Sequence, residues 1–135
     1  MKNPKEIVDE MMSKDKFSQW LNIKILEVDL GKCTLKTTVN EQMLNGHDII
    51  HGGISYSLSD SALAFASNSR GTKCVSIETS ISHLKKAVDG DELTVYATEI
   101  NRSKSLGVYE VEIFNQNQLK ISHFKGTVFD TGNHW

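Results

Sequence analysis

Apolar residues recur along this chain at two different spacings, and the switches between them divide it into elements. Pro4 stands where a helix can begin, and Ile7, Val8, Met11 and Met12 follow at helical intervals. Phe17, Trp20 and Leu21 extend that spacing, so residues 1–20 read as an N-terminal helical segment. From Ile23 the period shortens. Ile23, Ile25 and Val28 read as an irregular strand, and Leu30-Gly31-Lys32 as a turn. Cys33, Leu35, Thr37 and Val39 then alternate with Lys32, Thr34, Lys36 and Thr38, the pattern of a half-buried strand.

Residues 52–69 break the alternation. They hold no proline, no glycine after Gly53, and many small side chains, with Ile54, Leu58 and Phe65 near one face and Leu63 beside it. The spacing predicts one long helix, with Gly71 placed to terminate it. The abundance of serine and alanine predicts close packing against something flat, such as a sheet. Beyond Gly71 the period is two again: Val75, Ile77, Thr79 and Ile81, then Leu93, Val95 and Ala97, then Tyr109, Val111 and Ile113, then a last strand over residues 119–129. Asp89-Gly90-Asp91, Ser105-Leu106-Gly107 and Asn115-Gln116-Asn117 supply the turns. The whole is an α+β chain, with six strands wrapped on one central helix in a single domain over residues 1–135.

Composition narrows the field. A chain of 135 residues can bury roughly two thirds of its unfolded surface, enough to fold without a disulfide or metal. Its 15 basic and 17 acidic residues leave a net charge of -2, with no basic patch for nucleic acid or for a membrane surface. Cys33 and Cys74 have no metal-ligand spacing and read as free thiols of a reducing compartment. Residues 1–13 mix charges without the apolar core of a signal peptide, and no stretch approaches a membrane span, so a cytoplasmic location is expected.

The chemistry concentrates between Asn45 and Asp60. Gly52-Gly53 opens the long helix, where the first amides lack internal partners and carry partial positive charge. Such amides serve as a flexible helix start or as an oxyanion hole for a carbonyl under attack. Asp60 lies two turns inside the helix with only Leu58, Ala62 and Leu63 around it. A carboxylate there is either solvent-facing or a nucleophile or general base. Asn45-Gly46 is a turn signal, but no alternating strand follows within hairpin reach. His47 and His51 imitate a helical zinc spacing, but the flanking glycines argue against a helix through both, and no third ligand is evident; no metal is expected. Arg70, Lys73, Lys85 and Lys86 are either solvated surface or phosphate contacts.

With these residues in view, the chain resembles the hotdog-fold acyl-coenzyme A thioesterases of the phenylacetate-degradation type, over about residues 17–128. The resemblance rests on MLNGHDIIHGG (residues 43–53), Asp60, FASNSRG (residues 65–71) and ISHLKKAVDGDEL (residues 81–93). It implies a six-stranded antiparallel sheet around a central helix. It also implies a homodimer with active sites at the interface, usually paired again into a homotetramer. By the same resemblance, the Gly52 amide polarises the thioester carbonyl, Asn45 helps place that carbonyl or the water, and Asp60 of the other subunit attacks or activates water. His51 is near the leaving thiolate in some relatives, and Ser76 matches an assisting serine in others. Gly53, Arg70, His83, Lys85 and Lys86 fall among the substrate contacts. Many relatives carry an aromatic residue and then a proline where this chain has His83 and Lys86. The implied reaction is hydrolysis of an acyl-coenzyme A, with an aryl-acetyl or similar acyl group and no cofactor. A non-catalytic acyl-coenzyme A binding module and a hotdog enoyl hydratase are the competing readings. The first is disfavoured because residues 1–13 are too short for a helix-turn-helix and Asp60 is retained. The second is disfavoured because its histidine and acid are spaced differently.

Overall fold

A computed structural model describes residues 1–135. The chain runs α1 (Pro4–Lys14), α2 (Lys16–Trp20), β1 (Lys24–Asp29), β2 (Lys32–Thr38), α3 (Gly52–Asn68), β3 (Thr72–His83), β4 (Glu92–Arg102), β5 (Leu106–Phe114) and β6 (Lys120–His134). All strand pairings are antiparallel, and the single sheet has the order β1-β2-β4-β5-β6-β3. This is the hotdog arrangement: the sheet curls around α3, whose Leu58, Ala62, Phe65 and Ala66 are buried in one core with Leu35, Val95, Val111 and Phe124.

The small residues let helix and sheet approach closely. A methyl group added at Gly126 on β6 would sit 2.6 Å from Leu63 Cδ2, so glycine there leaves the room that the Leu63 side chain of α3 fills. Serine fills α3 for the same reason: Ser55, Ser59, Ser61 and Ser67 are all buried.

Two expectations change. The N-terminal segment is two helices, not one, because Asp15 leaves the helical conformation and caps α2, accepting hydrogen bonds from the Ser18 amide at 2.9 Å and hydroxyl at 2.6 Å. Leu21 enters the core, whereas Phe17 and Trp20 stay exposed and stack on each other. The second change concerns β3. Its alternating Val75 and Ile77 are not an inward face but are 54% and 58% exposed. A bulge between Ser76 and Glu78 interrupts the register, Cys74 is the buried residue, and β3 is one of the two edge strands of the sheet, with β1 at the other edge. The alternations of β2, β4 and β5 hold as read, and the last strand, β6, extends past Phe129 to His134.

Candidate active site

The N-terminal end of α3 is built by the loop before it. Asn45 closes a tight turn: its amide donates to the Ile49 carbonyl at 2.8 Å, and its Oδ1 accepts from the His47 amide at 2.8 Å. Leu44 and Ile50 form one isolated antiparallel bridge, so Asn45-Gly46 is a turn after all, held by a single rung rather than by a strand pair. The Asn45 Oδ1 is thus occupied, and its amide nitrogen is free to donate. The Ile50 amide donates to the Ala87 carbonyl and the Leu84 amide to the Ile121 carbonyl, each at 2.8 Å, which ties residues 84–87 across the helix end.

His51 is the cap of α3. Its Nδ1 accepts from the Gly53 amide at 2.8 Å, in the tautomer with hydrogen on Nε2. The Ile54 and Ser55 amides bond back to the His51 carbonyl. The Gly52 amide is left without an acceptor, as the first residue of a helix must be unless something outside supplies one.

A cavity of about 330 Å³ opens on this amide. Asn45, Gly52, Ser55, His83, Lys85 and Lys86 give it polar and basic lining, and Ile49, Ile50, Leu84 and Ile121 give it an apolar wall. No carboxylate lines it. Ser55, read from the sequence only as a packing residue, is 1% exposed with its hydroxyl unpartnered. Nothing in the sequence separates it from the other helix serines, because its role follows from where the helix rolls against the sheet.

Asp60 lies elsewhere. Eight residues along α3 is about 12 Å of rise and roughly 80° of rotation, so Asp60 and the Gly52 amide cannot serve one substrate carbonyl from the same chain. Asp60 lines a second cavity of about 230 Å³ with Leu63, Ser67, Cys74, Val75 and Ser76. Burial raises its carboxyl above the ordinary carboxylate value, and the nearby Asp15 charge adds to the shift. Cys74 shares this cavity, but burial raises its thiol as well, and the Cys33 thiol is pushed up to about 12 by burial. Neither thiol is an activated nucleophile.

The sequence-derived site therefore divides. Asn45, Gly52, His83, Lys85 and Lys86 come together in one cavity, with His51 and Gly53 forming the cap beneath it; Asp60 and Ser76 come together in the other. Arg70 joins neither: its guanidinium holds both Glu99 carboxylate oxygens at 2.7 Å, beyond the C-terminal end of α3.

The fold and this combination of an open helix amide with a lone half-buried aspartate define a class, the hotdog enzymes that act on thioesters. Residues 47–122 match the model of the thioesterase superfamily. The chain is 40% identical over 116 residues to the acyl-coenzyme A thioesterase PaaI of Escherichia coli strain K12, covering 86% of this chain and 83% of that protein. The solved structure of the E. coli PaaI protein from the phenylacetic acid degradation operon superposes with a TM-score of 0.95 at 36% identity, over 97% of this chain and 95% of that one. The structure of smu.793 from Streptococcus mutans UA159 bound to acetyl CoA matches with a TM-score of 0.82 at 26% identity, over 84% and 92% of the two chains. The chain belongs to the thioesterase superfamily, among the PaaI-like proteins. No helix is long and apolar enough to cross a membrane.

Proposed function

We infer that two copies of this chain hydrolyse acyl-coenzyme A thioesters in sites that each copy half supplies. The separation carries the reading: one cavity offers hydrogen-bond donors and no carboxylate, and the other offers an unpaired carboxylate and no carbonyl-binding amide. The free edge of β3 supports the same arrangement. It is 12 residues long, it exposes Val75 and Ile77, and Val75 and Ser76 line the Asp60 cavity. An apolar edge of that length invites strand pairing, which would set one copy's Asp60 against the other copy's Gly52. The outer sheet face also exposes Phe129 and Leu106, opposite each other in register, where two dimers would join as a tetramer.

In that site the Gly52 amide and the Asn45 side-chain amide donate to the thioester oxygen, which takes on negative charge as the carbonyl carbon is attacked. Asp60 of the other copy, ionised, takes a proton from water as the C–O bond forms, or attacks the carbon itself to give an anhydride that water then opens. Ser76 lies beside it to orient the water. The C–S bond breaks, and the proton ends on the thiolate, near His51 Nε2–H. Lys85 and Lys86 at the rim suit the phosphates of coenzyme A, and Ile49, Ile50, Leu84 and Ile121 suit an apolar acyl group, with aryl-acetyl the first choice.

The test is thiol release from aryl-acyl and aliphatic acyl-coenzyme A substrates. Asp60→Ala should lose about 10²–10⁴-fold in kcat, the worth of one acid–base group. A random mixture of Asp60→Asn and Asn45→Ala chains should regain about a quarter of wild-type activity, since about half its dimers are heterodimers and each of those carries one intact site of two. No recovery would sink the shared site. Tight binding without release by wild type would leave only a binding protein.

A further inference from the structure

We propose that His83 is a second donor to the thioester oxygen, so that its imidazole and the Gly52 amide hold the developing oxyanion together. This rests on the hydrolytic reading above. A methyl group built on Gly52 would lie 3.1 Å from His83 Nε2 and 3.2 Å from Cε1, but 3.8 Å from Cδ2. The Nε2 tip of the ring therefore faces the glycine whose amide is free. The imidazoles of His51 and His123 are held by hydrogen bonds within the chain, and that of His83 is not.

The ring is well placed by its backbone. His83 ends β3 opposite Ser122 of β6, and the Leu84 and Lys85 amides both donate to the Ile121 carbonyl, at 2.8 and 3.2 Å. Ser122 lies on the helix-facing side of β6 with Phe124 and Gly126, so the side chain paired with it also faces α3. An independent observation marks this pocket as one that receives a polar group. The Ser55 hydroxyl, one turn from Gly52 in the same cavity, is buried without a partner. Buried hydroxyls in folded proteins are ordinarily bonded, so orphans facing a cavity point to an occupant that completes them.

A donor to the oxyanion acts on the attack step, in which the C–O bond forms and the carbonyl π electrons move to oxygen. It does not act on departure of the thiolate. That separates His83 from a proton donor to sulfur. The experiment compares wild type, His83→Phe and His83→Gln on phenylacetyl-coenzyme A and on the phenylacetyl thioester of 4-nitrothiophenol, whose thiolate leaves without protonation. His83→Phe should lower kcat by about 10²-fold on both, as loss of one oxyanion donor does. KM should be little changed, and His83→Gln, which keeps a donor, should retain most of the rate. His83→Ala repeats the test if phenylalanine disturbs folding, as a thermal melt will show. Wild-type kcat in the Phe and Ala variants overturns the proposal. So does a loss seen only in KM, or a loss confined to the coenzyme A thioester, which would make His83 an acid for the leaving group. If wild type releases no thiol from any substrate, the hydrolytic reading itself has failed; an active wild type unaffected by the variants removes only His83.

Discussion

The two ends of α3 are built on opposite terms. At the N-terminal end, the Gly52 amide, the Asn45 amide nitrogen and the Ser55 hydroxyl face a cavity with nothing in the chain to accept from them. At the C-terminal end every strong group is answered. Arg70 holds Glu99 through two bonds of 2.7 Å, and the Tyr109 hydroxyl donates to Glu99 at 2.8 Å. Arg102 donates to Tyr109 at 2.9 Å and to Asp130 at 2.7 Å, where Thr72 also donates. Asn68 accepts from the Cys74 amide and from the Trp135 indole.

The carboxylates record the same difference. Hydrogen bonding from Arg70 holds Glu99 below the ordinary value. Burial works against Asp130, but bonds from Thr72, the Gly132 amide and Arg102 outweigh it and hold it low too. Asp60, half-buried with no such partner, moves up. Saturated polar groups stabilise a fold, and poised ones are available to a ligand.

The largest expected effect falls on Asp60. If Asp60→Ala kept near-full turnover, the unpartnered carboxylate would be an accident of packing and the contrast between answered and unanswered groups would lose its functional meaning. Next comes Arg102→Met, which should cost about 3 kcal/mol in urea unfolding, because it strands the largely buried Asp130. A loss of thiol release larger than the loss of stability explains would show that this network reaches the chemistry.

A smaller effect has opposite signs for the partnered carboxylates and for Asp60. Glu99 and Asp130 titrate lower in the folded chain than in the unfolded one, so their stabilisation is present above the unfolded carboxyl pKa and lost as pH falls through the folded one. Asp60 titrates higher when folded, so it costs stability once pH rises through the unfolded value. Asp60→Asn should therefore melt slightly above wild type at neutral pH, and the advantage should vanish in acid; a lower melting point at neutral pH would refute the unpartnered environment. The smallest change is Ser59→Ala. Its hydroxyl is 0% exposed and unpartnered, so removing it should be neutral or stabilise by about 1 kcal/mol in the same urea assay.

Much of this was legible along the chain. Period-two alternation marked β2, β4 and β5, because each of those strands has one face on the core and one turned away from it. It misread β3, because an edge strand that exposes Val75 and Ile77 alternates like one that buries them. The helix start at Gly52 and the misfit of Asp60 were visible as local chemistry. Ser55 was not, since an orphan hydroxyl is defined by the absence of a partner across space.

The sequence by itself determined the element types, the long small-residue helix, the motif from Asn45 to Asp60 and the family. Each of these depends on residues near one another in the chain, through helix pitch, strand pleat and turn chemistry. Only the tertiary structure decided that the donors and the carboxylate occupy separate cavities, that His83 lies over Gly52, that Arg70 is bound to Glu99, and that β3 is an edge strand. Those follow from how the sheet curls on α3, where the side chains that meet are set by packing between strands remote in sequence.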